Sequence, residues 1–361
     1  MLHPIPDSPL RTCLIRLVGR QRQLVKKLCA LPESSSVDAD WLKNVVWTDN
    51  RFHPWIDRFW NNQKGRRQSW LRAIAAASTE VKVELLDVMK EQCKYMQLYS
   101  SPPTIQLKKT DKAYWNKSSV HQAMKDLMVD FYVAGLSSDL GFPGEFVGAN
   151  DVLTRKTFLQ DATPAVCPYC DNGLQRVELD HFLPKSSFPF LSVHPDNLIP
   201  SCHDSNTGDH KGETISLDWA EAEQAKNYFH PRLRPAHGCF HIGINELPLT
   251  NPTVQLKPID ADHTARVQNL DSMFRLAEFW GRTLESDIQD IQKEVVVEFQ
   301  EESLTPSVPE GQRVLNQFAR NRKRRIGRKS ECLYEVALYE HAASSEWIIK
   351  NAIKQFHQDS I

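Results

Sequence analysis

The chain has 361 residues, of which 41% are hydrophobic and 25% are charged, and its formal net charge is −1. These values are typical of a globular protein of two or three domains, and they exclude a polycation, so any nucleic-acid surface must be local. No apolar run reaches the ~18 residues that span a bilayer, and the N-terminal sequence lacks a secretory pattern, so we expect a cytoplasmic protein without membrane contact.

Residues 1–150 are predicted to form a helical N-terminal region. Apolar residues recur at helical spacing from Leu10 to Leu28, directly after a Ser-Pro helix-start signal. Similar patterns predict further helices over 80–97 and 118–136. The first predicted domain is therefore built from helices alone.

A tryptophan-rich stretch lies within this region. Residues 41–70 contain five tryptophans interleaved with arginine and lysine. Stacking of nucleic-acid bases uses such a mixture, and packing in a helical core uses it too. We favour the core interpretation.

The second predicted domain, residues 151–260, is richer in proline, glycine, histidine and cysteine, and its elements are short. Alternation of apolar and polar residues predicts a half-buried strand over 176–180, and a second strand is predicted at 197–199. Two more strands are predicted at 238–244 and 253–256. Short strands in a histidine-rich module indicate a small functional core.

The third predicted domain, residues 261–361, is helical again. A long helix is predicted from Asp262 onward, with a break at Gly281. A turn containing proline and glycine follows at 303–311, and a final helical region begins after Ser330.

A basic segment runs from Arg313 to Lys329 and contains eight arginine or lysine residues without an acidic one. Such a segment neutralises several phosphates and gives salt-dependent affinity for nucleic acid. A solvated linker between helices is the alternative. We favour nucleic-acid contact, carried by Arg322, Lys323, Arg324 and Arg325.

Residues that suit phosphodiester hydrolysis are concentrated between Cys167 and Gly212. The reaction needs a base that activates water, a cation that stabilises charge, and groups that position both. His181 is a suitable base, because a neutral imidazole is available near neutral pH. Asn197 is predicted to orient the ring of His181 through a hydrogen bond.

The same stretch offers ligands for a divalent cation. Asp180 and Asn206 supply hard oxygen atoms, which suit Mg²⁺ or Mn²⁺. Asn206 and His210 are four residues apart and would share one face of a helix, so His210 is predicted to bind the cation or to donate to the scissile phosphate. Lys185 and Lys211 are predicted to contact phosphate.

These residues, in the order CPYC, VELDHFLPKS and PDNLIPSCHDSNTGDHKG, resemble the motif of the HNH endonuclease family. The resemblance implies a mostly α protein with helical flanks around a small ββα-metal core. It places the general base at His181, the orienting residue at Asn197, metal ligands at Asp180 and Asn206, and an extra helix histidine at His210.

Many HNH proteins also hold a structural zinc with two CxxC pairs. Here Cys167 and Cys170 form the first pair, and Cys202 begins the second, but the last position of that pair is serine. His203 is the nearest candidate for the fourth zinc ligand. Downstream alternatives are His237 and Cys239. The remaining interpretation is that zinc is absent and the thiols pack in a small core.

The leading hypothesis is a divalent-metal-dependent HNH endonuclease, with DNA favoured over RNA. The module is most similar to HNH proteins of bacterial anti-phage systems of the Septu and retron type, which implies a partner ATPase. One such site cuts one strand, so a double-strand break would imply a homo-oligomer or two events. The alternatives are a zinc-stabilised nucleic-acid-binding adaptor without cleavage and an RNA-cleaving toxin.

Overall fold

The computed structural model describes residues 2–3, 5–100, 102–143, 152–207, 210–245 and 252–359. The α-helices within these ranges are α1 (Arg11–Cys29), α2 (Ala39–Trp41), α3 (His53–Asn61), α4 (Arg66–Ala75), α5 (Thr79–Gln92), α6 (Lys112–Asn116), α7 (Ser119–Asp130), α8 (Arg155–Ala162), α9 (His203–Asn206), α10 (Thr264–Phe274), α11 (Leu276–Gly281), α12 (Leu284–Glu301), α13 (Val308–Lys323), α14 (Cys332–Ser344) and α15 (Glu346–Asp359).

Two small antiparallel sheets accompany the helices. Their strands are β1 (Val177–His181), β2 (Leu198–Cys202), β3 (Phe240–Asn245) and β4 (Thr253–Pro258). Short 3₁₀ or π segments lie at Leu42–Val46, Asn50–Phe52, Gln63–Gly65, Tyr95–Tyr99, Phe131–Gly135, Pro189–Leu191 and Ala261–His263. The described chain is therefore mostly helical, as the sequence predicts. None of the described helices combines the length and apolar composition needed to cross a bilayer.

Helix α1 shows how apolar spacing sets the N-terminal packing. Leu14, Leu17, Leu24 and Leu28 recur on one side and are buried. Burying each leucine contributes about 1.5–3 kcal/mol, so this face of the helix holds it against its neighbours.

The tryptophan-rich stretch belongs to the core. Trp47 and Trp55 are buried, with ring centroids 5.6 Å apart, and Trp55 stacks on Phe59 at 4.9 Å. Arg67, one of the interleaved cations, is buried as well and forms an ion pair with Asp130. Rings packed against one another in the interior cannot stack on bases, so the core interpretation is confirmed.

The β1–β2 hairpin lies between two hydrophobic cores. Leu179 and Leu198 pack into the core of the N-terminal helices, whereas Ile199 packs into the core that contains the C-terminal helices. The register pairs Val177 with Cys202 at one end and His181 with Leu198 at the other. Each prediction for these strands is correct to within about one residue at its start. The hairpin is thus fixed on both faces.

The predicted helix face that would carry Asn206 and His210 is not formed. Helix α9 ends at Asn206, because Thr207 adopts an extended conformation (φ −74°, ψ 166°). Gly208 and Asp209 lie outside the described residues. His210 therefore follows the helix and is not part of it.

The long helix predicted after residue 260 is divided into three. Asp260, and not Asp262, caps its first turn by accepting a hydrogen bond from the backbone N–H of His263 (3.1 Å). The chain breaks at Gly281, as predicted, and also at Arg275, whose backbone is left-handed (φ 49°). No glycine or proline marks Arg275, so the apolar pattern carried no signal of that break.

Candidate active site and cysteine cluster

The His181 end of the hairpin borders a cavity of about 350 Å³, which we call the hairpin cleft. Its walls come from β1, from the loop after it, and from α9 with the chain that follows. The lining residues are Leu179, Asp180, His181, Pro184, Lys185, Asn206, Gly212 and Glu213. The structure thus brings four of the predicted site residues together and adds Glu213, which accepts a hydrogen bond from Ser186.

His181 is held in one orientation. Its Nε2 donates to the backbone carbonyl of Ser192 (2.9 Å), and its ring lies edge-on to Tyr132 with centroids 4.4 Å apart. The pKa of His181 is lowered to about 3, mainly by burial and also by the charges of Lys185 and Lys211, while the Ser192 bond opposes them. Because a carbonyl only accepts, the proton of the neutral ring resides on Nε2, and Nδ1 keeps the lone pair of a base.

Asn197 does not contact this ring, so the prediction that it orients His181 directly is wrong. Its Oδ1 accepts from the backbone N–H of Leu183 (2.8 Å), and its Nδ2 donates to the carbonyls of Leu183 (3.0 Å) and Leu191 (3.3 Å). Asn197 is buried, and these bonds fix the loop between the strands. It therefore holds the loop that presents the Ser192 carbonyl.

Asp180 and Lys211 form a buried ion pair. The Lys211 ammonium donates to Asp180 Oδ1 (3.0 Å) and to the carbonyl of His181 (2.8 Å), while Tyr169 donates to Asp180 Oδ2 (2.7 Å). Lys211 is buried, so the prediction that it contacts phosphate is wrong. Sequence spacing gave no sign of this burial, which depends on Tyr169 and Asp180 arriving from elsewhere in the chain.

The predicted cation site is assembled in part. Asn206 donates through Nδ2 to Glu178 (2.7 Å), and within the described ranges its Oδ1 has no hydrogen-bond partner, so this oxygen is available as a ligand. Asp180 lines the same cleft, and an ionised carboxylate keeps lone pairs beyond its two donors. Carboxylate and amide oxygens are the type of ligand that Mg²⁺ and Mn²⁺ prefer. His210 does not belong to the set, because its ring bonds the carbonyl of Phe274 (3.0 Å) outside the cleft lining.

Glu178 connects β1 to α9. It accepts from Asn206 and lies 2.8 Å from Nδ1 of His203. Burial raises the pKa of Glu178, but the bonds to Asn206 and His203 outweigh it, and the pKa is lowered overall. His203 is 47% exposed and points toward Glu178, so the prediction that it is the fourth zinc ligand is wrong.

A buried cluster of thiols lies at the opposite end of the hairpin. The sulfurs of Cys167, Cys170 and Cys202 all lie within 4.8 Å of one another, and those of Cys170 and Cys202 are 3.6 Å apart. The Ser205 hydroxyl is buried beside them, 3.2 Å from the Cys202 sulfur and 3.8 Å from the Cys167 sulfur. Ser205 thus takes the place of the missing fourth cysteine, because α9 turns it back onto the cluster.

The thiols of the cluster differ in pKa. Hydrogen bonds from Cys167 and Cys170 lower the pKa of Cys202, whereas burial raises the pKa of Cys167. The sulfur of Cys202 also accepts from the backbone N–H of Ser205 (3.4 Å) and so caps α9. A cluster that stabilises one thiolate and contributes three sulfurs can hold a metal ion.

The four cations predicted to bind nucleic acid in the basic segment differ in their contacts. Arg322 donates to the Tyr339 hydroxyl (2.7 Å), and its guanidinium lies 3.9 Å from the centroid of that ring and within 3.2 Å of Glu335. This packing contradicts a role for Arg322 at the surface. Lys323 lies 3.7 Å from a glutamate. Arg324 and Arg325 are exposed and, in the described part of the chain, form no ion pair.

Comparisons with known proteins show similarity over one short stretch. Protein ea31 of Escherichia phage lambda is 46% identical over 59 residues, which are 16% of this chain and 19% of ea31. The match thus spans about a fifth of that relative, and its name states no activity. No protein-family model matches the chain, and no solved structure matches it significantly.

Proposed function

We propose that the protein is an HNH-type endonuclease that hydrolyses phosphodiester bonds in DNA, with His181 as the general base. The observation that carries this proposal is the arrangement of the cleft. A neutral imidazole, whose Nδ1 has no hydrogen-bond partner among the described residues, lies at the end of an antiparallel strand pair that leads into α9 and shares its cleft with Asp180 and Asn206. This order of two strands and a helix supports the ββα-metal core that the sequence motif implies.

In this proposal Nδ1 of His181 removes a proton from a water molecule as the water oxygen attacks the phosphorus. The bond from phosphorus to the 3′-oxygen breaks, and this oxygen leaves with the electron pair and takes up a proton. The products carry a 5′-phosphate and a 3′-hydroxyl. A divalent cation bound by Asp180 and Asn206 would stabilise the charge on the phosphate. Lys185, which also lines the cleft, contributes fixed positive charge.

We also propose that the cysteine cluster binds a structural zinc through Cys167, Cys170 and Cys202. Thiolates select zinc over the hard cations that suit the cleft. The Ser205 hydroxyl, 3.2 Å from the Cys202 sulfur and 3.8 Å from the Cys167 sulfur, would be the fourth ligand in this proposal. The zinc thereby joins the start of α9 to the loop before β1.

The same proposal includes partners. The resemblance to nucleases of anti-phage defence implies that an ATPase partner controls cleavage, and that a homo-oligomer or two events produce a double-strand break. Co-purification with a partner encoded beside this chain, followed by cleavage with and without ATP, tests the first point. Cleavage that is unaffected by the partner and by ATP would contradict control by an ATPase.

The direct test is cleavage of supercoiled plasmid with Mg²⁺ or Mn²⁺, comparing the wild-type chain with His181→Ala. We expect nicking by the wild type, its loss in EDTA, and a rate about 10²–10⁴-fold lower in the variant. Circular dichroism of both proteins controls for folding. A folded variant that nicks at the wild-type rate would contradict the mechanism. Cleavage of RNA alone would show that the substrate is RNA and not DNA.

A further inference from the structure

A second cavity, of about 580 Å³, shares the lining residue Leu179 with the hairpin cleft. Leu179 lines both cavities, so they adjoin along β1. The walls of the second cavity come from the end of the α7 region, from α8 and from β1. The lining residues are Tyr132, Leu136, Ser138, Arg155, Lys156, Leu159, Gln160, Glu178 and Leu179.

Two cations lie near the aromatic ring of Tyr132, which lines the second cavity. The guanidinium of Arg155 lies 5.2 Å from the centroid of Tyr132, and the ammonium of Lys185 lies 5.8 Å from the same centroid. The ring of Tyr132 in turn contacts the ring of His181. Positive charge from two separate parts of the chain therefore converges next to the candidate general base.

These cations have no acidic partner. Within the described residues, Arg155, Lys156 and Lys185 form no ion pair, although Lys211 and Arg322 in the same protein are paired. Lys156 is exposed, and Arg155 and Lys185 are half-buried. Glu178 is the one acid in the cavity lining, and its carboxylate is already bonded by α9. Two cations and one acid are thus among the residues that line the second cavity, whereas Lys185 lines the hairpin cleft with Glu213 and with Asp180, which Lys211 neutralises.

The position of two of these cations opposes local stability. Arg155 and Lys156 occupy the first turn of α8, behind the capping residue Thr154, and that turn has no acidic residue. The helix dipole disfavours positive charge at this end by about 0.3–1 kcal/mol per charge. An anion bound by this cation pair would offset that cost.

We infer that the groove formed by Tyr132, Arg155, Lys156 and Lys185 binds the phosphate backbone of DNA and leads it to His181. This inference rests on the proposed function for the identity of its ligand. The charged heads contact successive phosphates on both sides of the Tyr132–His181 ring pair. Leu179 of β1 lines both cavities, so a backbone bound at these cations would lie next to the hairpin cleft.

Binding of a fluorescein-labelled DNA duplex, followed by fluorescence anisotropy in EDTA, tests the inference without cleavage. All proteins carry His181→Ala as a background. The test variant adds Arg155→Ala, Lys156→Ala and Lys185→Ala. The matched control adds Lys293→Ala, Lys350→Ala and Lys354→Ala on α12 and α15, which removes the same charge from helices that pack against each other.

We expect the test variant to bind at least about tenfold more weakly and to lose about 2 to 3 from the slope of log affinity against log salt, because each lost phosphate contact removes about 0.9. The control is expected to bind like the background protein. Equal binding by the test variant, or an equal loss in the control, would overturn the inference. Preferential displacement of the duplex by RNA would overturn DNA as the ligand.

The two proposals fail separately. If plasmid cleavage survives His181→Ala while the test variant loses binding, the groove stands and the mechanism falls. If His181→Ala abolishes cleavage while the test variant binds normally, the mechanism stands and the groove falls.

Discussion

The two ends of the β1–β2 hairpin differ in chemistry although its two strands contain only ten residues. At the end where Val177 pairs with Cys202, three thiols and a serine hydroxyl bond to one another in a closed cluster. At the end where His181 pairs with Leu198, polar side chains line an open cavity beside cations that form no ion pair with the described residues. One end is therefore suited to hold the structure together, and the other is suited to bind and react.

Contacts from distant parts of the chain reinforce the cysteine end. The backbone N–H of Leu2 donates to the carbonyl of Pro168 (2.8 Å), and His3 bonds the buried carboxylate of Asp171. The same carboxylate accepts from the backbone N–H of Leu333 (2.7 Å) at the start of α14. The loop that carries the first two thiols thus joins the N-terminal segment to the C-terminal helices. Disrupting this end should affect stability more than activity.

The largest effect on stability is expected at the boundary between the two ends. Lys211→Met removes the partner of buried Asp180 and should lower the free energy of unfolding by about 3–5 kcal/mol, because it leaves an uncompensated buried charge. Chemical denaturation measures this change. Lys185→Met, at a half-buried cation of the cleft, is the control and should change it by less than about 1 kcal/mol. Equal stability of both variants would show that the Asp180–Lys211 pair does not support the hairpin.

A smaller loss is expected from the cysteine end. Cys202→Ser should lower the free energy of unfolding by about 2 kcal/mol or more and should abolish zinc binding, because it removes a sulfur that bonds the other thiols and Ser205. Elemental analysis and thermal unfolding measure these effects. Cys239→Ser, outside the cluster, should change neither. Wild-type protein without zinc would instead favour a metal-free thiol core.

Acid should destabilise the protein through its buried histidines. Burial lowers the pKa of His181 to about 3 and that of His194 to about 4, and it lowers the pKa of His230 as well. Below about pH 6.5 the unfolded chain takes up protons that the folded chain does not. Stability is thus complete above this pH and falls toward pH 4, by up to about 1.4 kcal/mol per pH unit for each histidine. Unfolding measured between pH 7.5 and 5 tests this, and a flat profile contradicts the burial.

The smallest effect is expected outside the hairpin. Reversing charge with Arg324→Glu and Arg325→Glu should weaken DNA binding less than loss of the groove cations and should remove about 1 to 2 from the salt slope. Fluorescence anisotropy with the same duplex measures both the affinity and the salt slope. Reversal that weakens binding more than the groove variant would make the basic segment the main contact, and an unchanged slope would make it a linker.

The sequence predicted the parts that depend on local pattern. Alternation located β1, the short strand predicted at 197–199 overlaps β2, and the spacing of histidine, asparagine and aspartate placed three side chains that now line one cleft. The sequence predictions were wrong where contacts with distant parts of the chain determine the position of a side chain. The burial of Lys211 needs Tyr169 and Asp180, and the orientation of His181 comes from a backbone carbonyl, which no residue type encodes.

Two misses had a different origin. The extended backbone of Thr207 separates His210 from α9, and the four-residue spacing that suggested a shared helix face gave no sign of it. The groove cations Arg155 and Lys156 did carry a local signal, since two adjacent positive residues in the first turn of a capped helix are unfavourable there. That signal becomes informative only when the second cavity places the helix beside β1.

The measurement that tests the account most directly is single-turnover cleavage of plasmid by His181→Ala and by His210→Ala. Both histidines belong to the sequence motif, but the structure places only the first in the hairpin cleft, while the second bonds Phe274. We expect loss of about 10²–10⁴-fold in rate for His181→Ala and a change of less than about threefold for His210→Ala. Equal loss in both, or loss in His210→Ala alone, would contradict the assignment of the active site to this cleft.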